Sequence, residues 1–231
     1  MAVATILARA WARQPGFACF ANVHMVMEAH DDPRLAAQIR QAFLIAPDGQ
    51  PLRWALRLRG RPLPDRCYGP TTADRVCAAA AAAGLPIGLY GGRPEVIATL
   101  QQKLPARFPG LRIAYAHSPP FRCLSAEEDA QITQDIQDSG ARILLVGLGC
   151  PKQERWAAAH AQALNLPILA VGAWFDFAAG TVAQAPRWMQ RCGLEWLYRF
   201  SQEPRRLWRR YAVHNPRFIA GMLAKPRSQT S

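Results

Sequence analysis

The chain has 231 residues, with 28 Lys plus Arg against 16 Asp plus Glu, a formal net charge of +12, and half of its residues apolar. Such a composition excludes a disordered chain, and the length suits one hydrophobic core with at most an appendage. No window approaches the ~18 uninterrupted apolar residues of a spanning helix, and Arg9 and Arg13 interrupt the first twenty residues, so neither a membrane span nor a secretory leader is expected.

Short apolar runs alternate with stretches of helical composition along the chain. Phe17 to Phe20 is strand-like, Val23 to Ala29 continues apolar, and a helix opens at Pro33 and runs to about Gln41. Ala42 to Ala46 is a second apolar run closed by the turn Pro47-Asp48-Gly49, followed by a helical stretch from Leu52 to Leu58 and a loop from Gly60 to Pro64. Thr71 to Ala83 reads as a helix, N-capped by Thr72, rich in alanine and stopped by Gly84. Pro86 to Tyr90 is a strand leading into Gly91-Gly92-Arg93-Pro94 and a helix from Glu95 to Leu104. Leu111 to Ala116 is the next strand. Ser125 and Glu128 have capping-box spacing at the head of a helix to Ser139. Ile143 to Val146 is a fully buried strand, Gly147 to Pro151 a glycine-rich turn, Lys152 to Leu164 a helix, and Pro167 to Val171 a last strand ending at Gly172-Ala173-Trp174.

Continuous apolar strands separated by helices predict an α/β fold: a Rossmann-like, mostly parallel sheet with helices on both faces. The alternation stops after Pro186. Residues 1–186 are therefore read as the α/β core, and residues 187–231 as a basic helical appendage. In such a sheet, ligands bind beyond the carboxyl ends of the strands. Asp48, Gly91 and Gly92, Gly147 to Gln153, and Asp176 all fall at that edge.

Gly91-Gly92 and the Gly147-x-Gly149 turn each join a strand to a helix. Glycine there lets backbone N–H groups and a helix N-terminus approach an anion closely. Neither matches a dinucleotide fingerprint or a P-loop, and a plain tight turn explains either one alone. Two on one edge favour a diphosphate such as a sugar nucleotide. Asp48 at the mouth of the sheet is a candidate general base, although Asp-Gly is also ordinary turn chemistry. Arg66 and Arg93 are candidates to neutralise a leaving diphosphate.

Six cysteines form no CxxC pair, and His24, His30, His117, His160 and His214 form no spaced ligand set. The chain also has no Asp-x-Asp triplet, the short motif with which many sugar-nucleotide enzymes hold a divalent cation. No metal and no cofactor are expected in the reaction.

The charge is concentrated. Residues 187–227 hold ten basic residues and two acids, together with Trp188, Trp196, Tyr198, Trp208, Tyr211 and Phe218. Arginine interleaved with aromatic rings suits nucleic acid, an anionic bilayer or an acidic partner.

Four blocks carry a resemblance: Gly147-Leu-Gly-Cys-Pro-Lys-Gln-Glu-Arg-Trp156; Val171-Gly-Ala-Trp-Phe-Asp-Phe-Ala-Ala-Gly180; Ala185-Pro-Arg-Trp188; and Gly193-Leu-Glu-Trp-Leu-Tyr-Arg199 through Glu203-Pro-Arg205. With Asn22, Pro47-Asp48-Gly49, Arg66, Gly69 and Gly91-Gly92 upstream, the chain resembles the WecG/TagA/CpsF glycosyltransferases, glycosyltransferase family 26, over about residues 17 to 218. The resemblance implies an inverting, metal-independent transfer from a UDP-sugar donor to a polyprenyl-diphosphate-linked sugar. It also implies a peripheral place on the cytoplasmic face of the plasma membrane, in cell-surface polysaccharide synthesis such as exopolysaccharide. By position, Asp48 matches the family's base, Arg66 and Gln153 line its pocket, and Asp176 matches a residue near the nucleotide. The arginines after Gly193, among them Arg199, Arg205 and Arg206, match an appendage that closes over the diphosphate. Arg205, Arg206, Trp208, Arg209, Arg210 and Arg217 are the expected membrane contacts.

Two departures leave the donor open between UDP-glucose and UDP-N-acetylmannosamine types: Phe20 replaces a hydroxyl residue common two positions before Asn22, and Gly69-Pro70-Thr71 replaces a common Gly-x-Asp. The alternatives are a basic nucleic-acid-binding protein and a catalytically silent assembly protein of the same fold. Lysine occurs only three times and the basic residues gather in one terminal segment, which favours a membrane surface over nucleic acid. A homo-oligomer is compatible with the sequence.

Overall fold

The computed structural model describes residues 1–61 and 67–224. Its centre is a six-stranded sheet: β1 (Gly16–Ala21), β2 (Leu44–Pro47), β3 (Ile87–Gly91), β4 (Ile113–His117), β5 (Ile143–Gly147) and β6 (Pro167–Ala170). The order is β2-β1-β6-β5-β3-β4, and every neighbouring pair is parallel. The sheet expected from the apolar runs is therefore present.

The helices of the core are α1 (Ala2–Trp11), α2 (Val23–Asp31), α3 (Pro33–Ile39), α4 (Gln50–Leu58), α5 (Gly69–Ala82), α6 (Pro94–Arg107), α7 (Ala126–Asp138), α8 (Lys152–Leu164) and α9 (Gly172–Ala179). The pleat sends alternate residues of one strand to two separate cores. Ile143 and Leu145 of β5 join Ala73, Val76, Leu100, Trp174 and Phe175 on one face. Leu144 and Val146 join Leu35, Ile136, Ala157 and Leu164 on the other. Burial on both faces is why β1, β3, β5 and β6 are apolar without interruption, while the edge strands β2 and β4 are only partly buried.

Local chemistry sets several boundaries. Asn22 and Asp32 cap α2 and α3 by accepting backbone N–H groups with their side chains. Ser125 and Glu128 make both bonds of the capping box that opens α7. Gly84 follows α5 at φ +65°, as a stop glycine should. Thr72 is not the N-cap of α5. The helix starts at Gly69 because Pro70 fits its first turn, and Thr72 is buried inside it. Two helices go beyond the chain-order reading. α1 packs Ile6 and Ala10 into the core and has its last carbonyls capped by Arg142, which donates to Ala10 and Trp11. α9 begins directly at the Gly172 turn.

Between Pro186 and Ala224 the described chain is mostly helical: α10 (Arg187–Arg191), α11 (Glu195–Gln202), α12 (Pro204–Arg209), a π-helical turn (Arg210–His214) and α13 (Asn215–Ala224). This segment is docked on the core. Leu207 is buried, the Tyr68 hydroxyl donates to Glu195 at 2.7 Å, and Arg217 forms a bidentate pair with Asp31 at 2.6 and 2.8 Å. Among the described residues, no helix is long and apolar enough to cross a membrane.

Candidate active site

The carboxyl ends of β1, β2, β3, β5 and β6 open into a single cavity of about 1070 Å³, roofed by the appendage. Each strand hands over to a loop, and residues there line it: Asn22 after β1, Asp48 after β2, Gly92 after β3, Gly147 at the end of β5 and Gly149 after it, and Gly172 after β6. Asp176 and Arg199 complete the wall from α9 and α11. The parallel sheet thus gathers residues from five distant parts of the chain at one edge, and the appendage adds Arg199.

The glycines do three different jobs. Gly91 and Gly147 are register partners on adjacent strands, and a Cβ on Gly91 would lie 2.6 Å from the Gly147 backbone. Gly91 itself is buried beneath the cavity and serves close packing. A Cβ on Gly147 would meet the Phe175 ring at 2.7 Å. Gly149 differs: its φ is +79°, and nothing lies within 4 Å of its would-be Cβ. Its place on the open wall suits approach by a ligand.

Gln153 is buried at the start of α8. Its side-chain carbonyl accepts the backbone N–H of Gly149 at 3.2 Å and of Gly172 at 3.1 Å. Its amide donates to Glu154 at 2.9 Å. This side chain ties the β5 loop to the β6 loop and so shapes the wall. The Asn22 carbonyl is likewise engaged, accepting Met25 N–H at the head of α2. Asp176 accepts from the Thr181 hydroxyl at 3.2 Å.

Asp48 is half-buried, with its backbone N–H held by the Ala21 carbonyl at 2.8 Å. One Asp48 carboxylate oxygen lies 3.4 Å from the position a Cβ on Gly69 would take, and Phe20 crowds the same position at 3.2 Å. Phe20 therefore packs against Gly69 beside the candidate base.

Arg199 reaches the cavity from α11, its guanidinium 5.7 Å from the centre of the Phe177 ring. Its Nε is buried with no hydrogen-bond partner among the described residues. Arg205 is exposed outside the cavity wall. Arg66 lies outside the described residues, as do the side chains of Arg206, Arg209 and Arg210. Arg217 is engaged by Asp31, whose carboxyl is held below its ordinary range chiefly by that hydrogen bond. Trp208 is exposed.

The sequence reading missed Tyr68, Trp156 and Tyr90. Tyr68 lines the cavity between Asp48 and the appendage, also accepting from Gln184 at 3.0 Å. Burial, reinforced by the Glu195 carboxylate, pushes its phenol above the ordinary tyrosine range. Trp156 and Tyr90 form an aromatic pair on the wall, with ring centres 4.5 Å apart. Trp156 was in view within the Pro-Lys-Gln-Glu block, but nothing local shows that Tyr90 of β3 would stand beside it.

A cavity at the carboxyl edge of a parallel sheet, with glycine turns, an aspartate and a half-buried arginine on its wall, agrees with the family comparison. The model of the Glycosyl transferase WecG/TagA/CpsF family matches residues 1–231. The chain therefore belongs to the WecG/TagA/CpsF family and is a glycosyltransferase.

Proposed function

We propose that the protein is an inverting glycosyltransferase that moves a hexose or N-acetylhexosamine from a UDP-sugar to a polyprenyl-diphosphate-linked saccharide at a membrane surface, without a divalent cation in the chemical step. The observation that carries this reading is the shared wall: Asp48, the Gly149 turn and Arg199 all line one cavity.

In this reading the acceptor hydroxyl attacks the anomeric carbon from the face opposite UDP. The new C–O bond forms as the bond to the diphosphate breaks, and Asp48 takes the hydroxyl proton. The negative charge that grows on the leaving diphosphate is met by Arg199 and by backbone N–H groups of the glycine turns. Arg66, outside the described residues, is assigned to the same cluster on the resemblance alone. Asn22 and Asp176 are assigned to the substrate. Gln153 acts by holding the Gly149 and Gly172 loops together.

Residues 187–231 are taken as the membrane-associating appendage of a core spanning residues 1–186. Its exposed indoles support this assignment: Trp188, Trp196 and Trp208 are 61%, 40% and 55% exposed. Trp54 of α4, 53% exposed, adjoins the appendage at Gly193. Indoles and arginines together suit the headgroup layer of an anionic bilayer.

The test is incubation with a panel of UDP-sugars and a polyprenyl-diphosphate-linked acceptor, scored for released UDP and product anomer. One donor should be turned over with inversion, and the rate should not rise on adding Mg²⁺ or Mn²⁺. Absence of UDP release with every donor would favour a silent assembly protein, and retention of configuration would remove the single displacement.

A further inference from the structure

The spacing of histidines along the chain suggests no ligand set, yet the fold builds one at the seam between α2 and the appendage. His24 and Glu28 stand one turn apart on α2 and share a face. His214 arrives from the π-helical turn. Glu28 Oε1 lies 3.6 Å from His24 Nδ1 and 3.8 Å from His214 Nε2. One ligand atom from each residue lies within 4.8 Å of the other two. These separations are too long for direct hydrogen bonds.

His214 is only 8% exposed. Its second ring nitrogen, Nδ1, is buried without a hydrogen-bond partner among the described residues. Two histidines, tilted with ring centres 5.1 Å apart, thus flank one carboxylate oxygen in a mostly buried seam.

Zinc bonded at 2.0–2.1 Å to tetrahedral ligands holds those ligand atoms about 3.3 Å apart. The two edges to Glu28 need a contraction of about half an ångström or less to reach that spacing, and the edge between the two histidines, inside 4.8 Å, needs up to about 1.5 Å, within reach of side-chain rotation. Two imidazoles and a carboxylate suit a zinc-class ion and not Mg²⁺ or Ca²⁺, which prefer all-oxygen sites.

We propose that His24, Glu28 and His214 bind a zinc-class divalent ion that staples the appendage to α2. The ion is a structural staple beside the cavity, whose wall includes His24, and the inference does not rest on the proposed sugar transfer. Together with the Asp31–Arg217 pair, it pins the far end of the appendage whose α11 carries Arg199 to the cavity. A water completes the tetrahedron.

The test uses the full chain carrying Cys123→Ser and Cys192→Ser, because these two exposed thiols would otherwise compete for metal. After chelation and desalting, Zn²⁺ is titrated calorimetrically and Co²⁺ by visible absorption. One equivalent should bind, Co²⁺ should show the ligand-field bands of a four-coordinate site, and Zn²⁺ should slow trypsin cleavage within residues 187–224. Glu28→Gln and His214→Gln should each weaken binding by more than the roughly 10–100-fold that loss of a mere outer partner costs. They should also abolish the protection from trypsin. Asp48→Asn should bind metal as the parent does. Glu28 is part-exposed, so its variant decides the matter if His214→Gln disturbs folding. Failure to bind one equivalent, or binding that survives Glu28→Gln unchanged, would overturn the staple and leave the triad as packing alone.

Discussion

The side-chain carbonyl of Gln153 stands 3.1 Å from the backbone N–H of Gly172 and takes the N–H of Gly149 with the same oxygen. One buried amide thereby sets the distance between two loops that belong to different strands. A Cβ on Gly172 would lie 2.6 Å from that oxygen, so the contact also explains why residue 172 has no side chain.

Gln153→Ala should strand both N–H groups and cost about 1–3 kcal/mol of stability. Urea unfolding of parent and variant measures this, and turnover should fall with it as the wall loosens. An unchanged midpoint would show that the amide does not brace the loops.

Asp48→Asn keeps size and turn propensity but removes the proposed proton acceptor. Turnover should drop on the order of 10²–10⁴-fold, with the thermal midpoint nearly unchanged. Near-parental transfer would take Asp48 out of the mechanism.

Gly147 and Gly149 should respond differently to alanine. At Gly147 the new methyl meets the Phe175 ring at 2.7 Å, an overpacking worth about 1–3 kcal/mol. At Gly149 the space is open, and the cost is the left-handed backbone alone, about 1–2 kcal/mol. The Gly149 variant should lose affinity for UDP in a binding titration out of proportion to its stability. Equal UDP affinity in parent and Gly149→Ala would argue against that turn as a phosphate contact.

The proposed membrane docking would separate two kinds of arginine. Arg205→Gln should weaken sedimentation with anionic vesicles by about 1 kcal/mol, roughly fivefold, and the effect should shrink as salt rises. Trp208→Ala should weaken binding at all salt concentrations. Arg217→Gln breaks an ion pair with Asp31, so it should free the end of the appendage to proteolysis more than it reduces vesicle binding. Vesicle binding unaffected by Arg205→Gln and Trp208→Ala together would move the docking surface elsewhere.

Much of this molecule is legible in its residues. Strands buried on both faces must be apolar at every position, so Ile143 to Val146 announces a central parallel strand by itself. The Ser125–Glu128 box and the Gly84 stop act within one turn of chain, and both stand where local chemistry places them. The glycine turns and Asp48 follow, because a parallel sheet puts every strand's carboxyl end on one edge. What only the tertiary structure decided depends on partners distant in sequence. Gln153 turns out to brace a loop contributed by Gly172. Tyr68 meets Glu195 from the far end of the chain, Phe20 packs on Gly69, and His214 comes to lie beside His24 and Glu28. Local sequence encodes which backbone conformation and which face a residue prefers. Which faces then meet is settled by burying the two cores together, and that choice is written in no single stretch of the chain.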